Sequence, residues 1–254
     1  MTQPQHLTIL TGASRGMGLA MAEQLCVPDA VLLCISRKAS DPLAARAQAQ
    51  STALTQWQAD LADPLPVAAR LRSWLDGLDG AAFASATLIN NAGVVDPIGP
   101  LDAADPQAMA RLLRVDLEAP MQLCAAFLAT TRHWKTPRKI LNISSGLGRR
   151  AMAGSALYCA AKAGMDHFSR CVALDEARQA QPVRIASLAP GVIDTDMQAA
   201  LRAGDPGAFP DRDNFVRLKE TRALASPAQA AAQVLAFLAR DDFGRTVVAD
   251  VRDA

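Results

Sequence analysis

A chain of 254 residues is long enough for one large α/β domain or two small ones, and half of its residues are hydrophobic, so a sizeable core can be buried. The formal net charge is +1 with no block of like charge, which argues against a nucleic acid or a membrane surface as partner. Only 4% of residues are aromatic, leaving Leu, Val, Ile, Ala and Met to fill the core.

The polar start, Met1 to His6, lacks a basic stretch leading into a long apolar run, so no secretory signal is expected. No apolar window approaches the length of a membrane span, and a soluble, cytoplasmic protein is expected. Leu7 to Thr11 reads as a strand, Gly16 to Cys26 as a helix, and Ala30 to Ile35 as the continuous apolar run of a buried parallel strand. A helix over Asp41 to Gln50, a short strand over Leu54 to Gln58 and a helix over Pro64 to Leu78, entered by Asp63, come next. Thr87 to Asn90 closes a fourth strand. Asp105 to His133 is one long helical stretch, with a kink expected near Pro120. Lys139 to Ser144 is a strand, Leu157 to Arg178 a helix and Val183 to Leu188 a strand. A helix opened by Ser226-Pro227 runs to Arg240, and Thr246 to Asp250 is the last strand.

Repeated β-α-β units imply a parallel sheet with helices on both faces. No linker, internal repeat or low-complexity tract divides the chain. The expectation is one doubly wound, Rossmann-type α/β domain over residues 1–254 with a mostly parallel seven-stranded sheet, its site beyond the C-terminal strand ends. The five cysteines, Cys26, Cys34, Cys124, Cys159 and Cys171, form no Cys-x-x-Cys pair and read as buried thiols of a reducing compartment. No His, Cys or carboxylate spacing suits a metal, so none is expected.

Two motifs carry chemistry. Thr11-Gly12-Ala13-Ser14-Arg15-Gly16-Met17-Gly18 lies between the first strand and the first helix, where glycines permit a tight turn and bring backbone N–H groups to a pyrophosphate. Tyr158 and Lys162 stand four apart on a helix, hence on one face. Tyr158 is the only tyrosine. An ammonium beside it favours the phenolate, so its phenol is expected to be more acidic than a free one. A Ser-His-Asp hydrolase reading fails, since neither Ser144 nor Ser145 sits in a G-x-S-x-G elbow and the few histidines are His6, His133 and His167.

The T-G-x-x-x-G-x-G spacing and the motifs that follow it in order resemble the short-chain dehydrogenase/reductase family over nearly the whole chain. The resemblance implies a nicotinamide cofactor held by Gly12, Ser14, Arg15, Gly16, Met17 and Gly18, with Asp60 and Leu61 at the adenine and Asn91, Ala92 and Gly93 along the adenosine. Pro190, Gly191, Ile193 and Thr195 would line the nicotinamide side, and Tyr158 and Lys162 would reach the ribose. The acidic residue that NAD-preferring members carry after the second strand is replaced by Ser36-Arg37-Lys38, so NADP is expected, with Arg37 and Arg15 as candidate phosphate ligands. Ser145 lies thirteen residues before Tyr158, the family spacing, and would hydrogen-bond the substrate oxygen while Tyr158 gives the proton. Where family members carry a relay Asn in the fourth helix, this chain has Asp116, which either acts through its backbone or adds a charge near Lys162.

Within the family, Asp194 to Gln198 and the C-terminal tail resemble sepiapterin reductases and bacterial benzil (1,2-diketone) reductases. That implies a small carbonyl substrate, with Asp250 either a pterin anchor or a cap on the last strand. Leu147, Met152 and Met197 are candidate pocket residues or ordinary core. A homodimer or homotetramer is expected through the two long helices, where Leu112, Leu113, Leu123, Phe127, Phe168 and Val172 supply either subunit contact or core. The alternative is a non-catalytic NADP(H)-binding regulator of the same fold.

Overall fold

Alternation along the first two strands decides the layers. In β1 (Gln5–Thr11), Leu7 and Ile9 face one side and Leu10 the other; in β2 (Ala30–Ser36), Leu33 and Ile35 share the first side, Leu32 and Cys34 the second. Both strands are apolar on both faces, as parallel strands between two helical layers must be. The computed structural model describes residues 5–253; residues 1–4, with the polar start of the chain, and residue 254 lie outside them. β3 (Ala53–Gln58), β4 (Phe83–Asn90), β5 (Arg138–Ile143), β6 (Arg184–Ala189) and β7 (Val248–Asp250) complete a parallel seven-stranded sheet of order β3-β2-β1-β4-β5-β6-β7. The strand order reverses between β1 and β4, and that switch point opens the crevice in which ligands of such sheets bind.

The helices are α1 (Gly16–Gln24), α2 (Asp41–Ala49), α3 (Pro64–Asp76), α4 (Pro106–Leu113), α5 (Ala119–Thr131), α6 (Ala156–Glu176), α7 (Asp196–Ala203), α8 (Arg212–Glu220) and α9 (Pro227–Ala239). Leu71 of α3, Leu123 and Phe127 of α5 and Val172 of α6 cover the first face of the sheet. Met21 of α1, Leu43 of α2 and Val234 of α9 cover the second. Local chemistry fixes several starts: Ser40 accepts from Leu43 N–H, Asp105 from Ala108 N–H, and Ser226 with Gln229 forms a reciprocal capping box ahead of α9.

The long helix expected over Asp105 to His133 is divided, with the irregularity just ahead of Pro120, where a kink is expected. A π-turn over Arg114–Glu118 separates α4 from α5, with Ala119 N–H reaching back five residues to the Arg114 carbonyl. Pro120, inside the first turn of α5, has no N–H to give the Asp116 carbonyl, so the irregularity sits just before it. β4 begins at Phe83, earlier than the apolar run at Thr87 suggests. α7 and α8 escape the sequence reading because α8 buries no residue and α7 is short. The cysteine expectation needs correction as well: Cys26, Cys34 and Cys124 are buried, but Cys159 is half-buried and Cys171 exposed on the outer side of α6. Leu112, Leu123 and Phe127 are wholly enclosed by this chain's own core, which leaves Leu113 and Leu174 as exposed apolar side chains on α4 and α6.

One buried carboxylate ties α5, α6 and β6 together. Glu176 accepts from Arg132 at 2.6 and 2.9 Å and from Val183 N–H at 2.9 Å, with its side chain 3% exposed. Burial pushes its carboxyl up, but the hydrogen bonds from Arg132 and Val183, with the charges of Arg132 and Arg138, outweigh that and hold it below the usual range. Glu176→Gln should lower stability by about 2 kcal/mol at neutral pH. Because the folded value lies below the unfolded one of about 4.3, this contribution is complete above that pH and is lost as pH falls through the folded value. Melting curves should show the gap between wild type and variant closing in acid; a gap independent of pH would contradict this.

Candidate active site

The ends of β1 and β4 are stitched together at the switch point. Thr11 Oγ1 accepts from the N–H groups of Asn91 and Ala92 at 2.9 and 3.0 Å, and Asn91 Nδ2 donates to the carbonyls of Thr11 and Gly12 at 3.0 and 3.3 Å. Gly12 has φ +72°, and a Cβ there would lie 2.9 Å from Ala92 Cα, so only glycine lets the two loops meet. Above this seam opens a cleft of about 670 Å³, within the range of small-molecule sites.

All the residues expected at the cofactor line it: Gly12, Ser14, Arg15, Gly16, Met17 and Gly18 from the loop, Ser36 and Arg37 after β2, Asp60 and Leu61 after β3. Asn91, Ala92 and Gly93 line it after β4, Pro190, Gly191, Ile193 and Thr195 after β6, and Tyr158 and Lys162 on α6. No carboxylate stands at the end of β2. Ser36 Oγ is buried there without a hydrogen-bond partner, and Arg37 beside it is exposed. These features fit a nucleotide with a polar group at that end. Arg15 has a partner of its own, Asp196 at 2.7 Å, bridging the glycine loop to α7.

At the other end stand Ser145, Tyr158 and Lys162. Ser145 follows β5, and its Oγ accepts from Leu147 N–H at 3.1 Å. Its turn is held by Arg149, which approaches the Ser145 carbonyl at 3.5 Å, the Ala249 carbonyl at 3.3 Å and the carboxylate of buried Asp166 at 3.6 Å. Lys162 Nζ donates to the Ile143 carbonyl at 3.2 Å and lies 5.4 Å from the centre of the Tyr158 ring. Asp116 is wholly buried in the π-turn, one oxygen accepting from Val94 N–H at 2.7 Å and the other 3.1 Å from Lys162 Nζ. The charge that the sequence allowed beside Lys162 is present. Gly93 makes room for the pair: a Cβ there would lie 3.1 Å from the Asp116 carboxylate.

These contacts set the titrations. Burial pushes the Lys162 ammonium down, but the Asp116 charge beside it, with Tyr158 and Asp166, more than offsets this and holds it above the usual value. Burial raises the Asp116 carboxyl, against the opposing pull of Lys162 and the Val94 N–H. For Tyr158, burial raises the phenol, Lys162 lowers it, Asp116 raises it and Ser145 lowers it, and the net direction is upward. The expectation of an unusually acidic phenol is therefore corrected for the cofactor-free protein: Lys162 acts in the expected direction, but burial and Asp116 outweigh it.

Of the candidate substrate residues, Leu147, Met197 and Asp250 line the cleft, whereas Met152 is buried in the apolar cluster with Tyr158, Leu201 and Phe209 and does not reach it. The Asp250 carboxylate is already held by Arg252 at 2.6 and 2.8 Å, and that hydrogen bond, working against burial, keeps it below the usual range. Arg111, Arg150, Gln198, Phe215 and Arg252 also line the cleft and were not foreseen. Phe215 arrives on α8, whose polar sequence carries no apolar period to announce it. Among the described residues, no three His, Cys, Asp or Glu side chains cluster as metal donors, and no helix is long and apolar enough to cross a membrane.

A glycine loop at the sheet's switch point, facing Ser145, Tyr158 and Lys162 across one cleft, defines an oxidoreductase site. The family model for short chain dehydrogenases matches residues 6–206, and the chain belongs to the short-chain dehydrogenase/reductase family, whose members bind a nicotinamide cofactor. It is 34% identical over 235 residues to a benzil reductase ((S)-benzoin forming) of Bacillus cereus, covering 92% of this chain and 94% of that one. It is also 34% identical over 206 residues to the sepiapterin reductase of Xenopus tropicalis, covering 77% of each. The crystal structure of the KRED1-Pglu enzyme superposes with a TM-score of 0.80 at 27% identity, over 95% of this chain and 99% of the other.

The single tyrosine makes the balance around Tyr158 measurable. In the cofactor-free protein the tyrosinate absorbance should rise at higher pH than for free tyrosine, about 10. Asp116→Asn should move the midpoint down, by removing a charge that repels the phenolate, and Lys162→Met should move it up. A wild-type midpoint below that of free tyrosine would contradict the balance described.

Proposed function

We propose that the protein is an NADP(H)-dependent carbonyl reductase, one domain over residues 1–254, acting on a ketone, a 1,2-dicarbonyl compound or a pterin side-chain ketone. The observation that carries this reading is that Tyr158 and Ser145 open on the same cleft as the glycine loop, with the Lys162 ammonium buried beside Tyr158. The names of the benzil and sepiapterin reductases to which the chain is similar support the carbonyl substrate. NADP is favoured over NAD by the missing carboxylate after β2 and by Arg37, which a 2′-phosphate would engage through charge-assisted hydrogen bonds.

NADPH, when bound, supplies the hydride. The chain's own residues handle the oxygen and its proton. Ser145 donates a hydrogen bond to the substrate oxygen and stabilises the charge that develops there. Tyr158 gives that oxygen its proton, and its raised pKa keeps the phenol protonated and ready at neutral pH. Lys162 stabilises the phenolate left behind, and Asp116 keeps Lys162 charged inside the core. Asp250 either anchors a pterin or closes the last strand; Arg252 would have to release it for the first role. Leu113 and Leu174 are the side chains we assign to a homodimer or homotetramer contact in a cytoplasmic enzyme.

Two substitutions test the reading. Tyr158→Phe should still bind NADPH but reduce benzil more slowly by on the order of a hundredfold or more; near-normal turnover by a folded variant would overturn the mechanism. Arg37→Asp should weaken NADPH binding by roughly tenfold or more while affecting NADH far less. Titration of the variant with both cofactors checks this, and an unchanged preference would exclude Arg37 as the phosphate ligand. A wild-type protein that binds NADPH and reduces no carbonyl compound would favour the regulatory alternative, for which the Asp116 charge beside Lys162 is the one supporting feature.

A further inference from the structure

The charges lining the cleft are almost all spoken for. Its four acidic side chains each hold a cation: Asp60 with Arg111 at 4.0 Å, Asp194 with Lys219 at 2.5 Å, Asp196 with Arg15 at 2.7 Å and Asp250 with Arg252 at 2.6 Å. Of its six basic side chains, Lys162 is matched by Asp116, and Arg15, Arg111 and Arg252 by the aspartates just named. Two remain. Among the described residues, neither Arg37 nor Arg150 has a carboxylate within 4 Å.

These two surplus cations stand at opposite ends. Arg37 follows β2, at the end where the nucleotide is expected. Arg150 belongs to the turn between Ser145 and α6: its N–H donates to the Gly146 carbonyl at 3.0 Å, and its own carbonyl accepts from Cys159, the residue after Tyr158, at 3.9 Å. The neighbouring Arg149 has its guanidinium engaged by Asp166 and two carbonyls, whereas the exposed Arg150 guanidinium makes no hydrogen bond among the described residues. Beside it, a Cβ on Gly146 would meet nothing within 4 Å, so the turn faces open space. A cleft whose carboxylates are all paired offers nothing to a cationic substrate, and its substrate end keeps one free arginine.

We propose that the substrate is a carbonyl compound that also carries a carboxylate, and that Arg150 binds this carboxylate while Ser145 and Tyr158 engage the carbonyl oxygen. The proposal rests on the carbonyl-reductase reading above and narrows it to oxo acids. Hydride and proton add across the C=O bond to give the hydroxy acid, and the carboxylate passes through unchanged, serving to orient the compound. Arg150 suits the task because a guanidinium fork matches a carboxylate. Its exposure limits the gain through solvent screening, so a moderate effect is expected.

The test compares oxo acids with their neutral esters. Benzoylformate and 3-benzoylpropionate, each against its methyl ester, would be reduced with NADPH by wild type, Arg150→Gln, Arg150→Lys and Arg150→Glu. Wild type should prefer the acids. The acid-to-ester ratio of kcat/KM should fall roughly tenfold in Arg150→Gln, the scale of one exposed charge-assisted hydrogen bond. It should fall further in Arg150→Glu and be partly restored in Arg150→Lys, with the change carried by KM. A wild-type preference for the esters, or a ratio that Arg150→Gln leaves unchanged, would overturn the inference. If wild type reduces benzil but none of the four compounds, the inference is overturned; if it reduces neither benzil nor any of the four, the carbonyl-reductase reading fails instead. Calorimetric titration of the NADP+-bound protein with benzoylformate then still decides the point: weaker binding in Arg150→Gln supports the anion site, and equal affinity in both proteins overturns it.

Discussion

Lys162 and Asp116 stand 3.1 Å apart, both almost wholly buried. Removing an ammonium and a carboxylate from water costs several kcal/mol each, which their attraction offsets only when the remaining polar capacity is also satisfied. Here the Ile143 carbonyl at the end of β5 accepts from Lys162 and the Val94 N–H after β4 donates to Asp116, each from the top of the sheet. The pair therefore joins α6, the π-turn and two strand ends at one point. Breaking it from either side would strand a charge in the core, so the position of Tyr158, one helical turn before Lys162, depends on it.

The same pair explains a tension in the chemistry. As the proton donor we propose, Tyr158 must hold its proton at rest and be able to release it on demand. Burial and Asp116 favour the neutral phenol, and Lys162 favours the phenolate. An amide at position 116 would leave burial alone to oppose the ammonium's pull on the phenol. With a carboxylate there, the neutral phenol is favoured further while the ammonium stays beside it.

Much of this was legible in the residues. Short apolar runs located the strands, most plainly β1 and β2, since a parallel strand buried on both faces cannot hide its composition. The glycine loop and the Tyr158–Lys162 spacing located the cleft, because a tight turn and a shared helix face are local properties of the chain. What escaped was non-local. The division of the long helix at Arg114–Glu118 depends on the π-turn that Pro120 follows, and proline alone suggested a kink slightly later. The raised phenol of Tyr158 depends on how deeply it is buried, which no spacing states. Met152, with the same side chain as Met197, went to the core while Met197 reached the cleft, because only the folded return of α7 and α8 distinguishes them. Asp250 revealed its bond to Arg252 only once the chain had turned after β7.

The π-turn also acts as a phase shift in the helix that carries it. A helix advances about 100° per residue, so one residue added to a single turn rotates everything beyond it by that amount relative to an unbroken helix. Upstream of the turn, Leu112 is set into the apolar cluster beneath the cleft; downstream, Leu123 and Phe127 are set against the sheet. One continuous α-helix through the same sequence could not satisfy both faces at once. The widened turn lets a single run of chain serve two differently oriented cores, and the residue left at the change of phase, Asp116, is the one that points at Lys162.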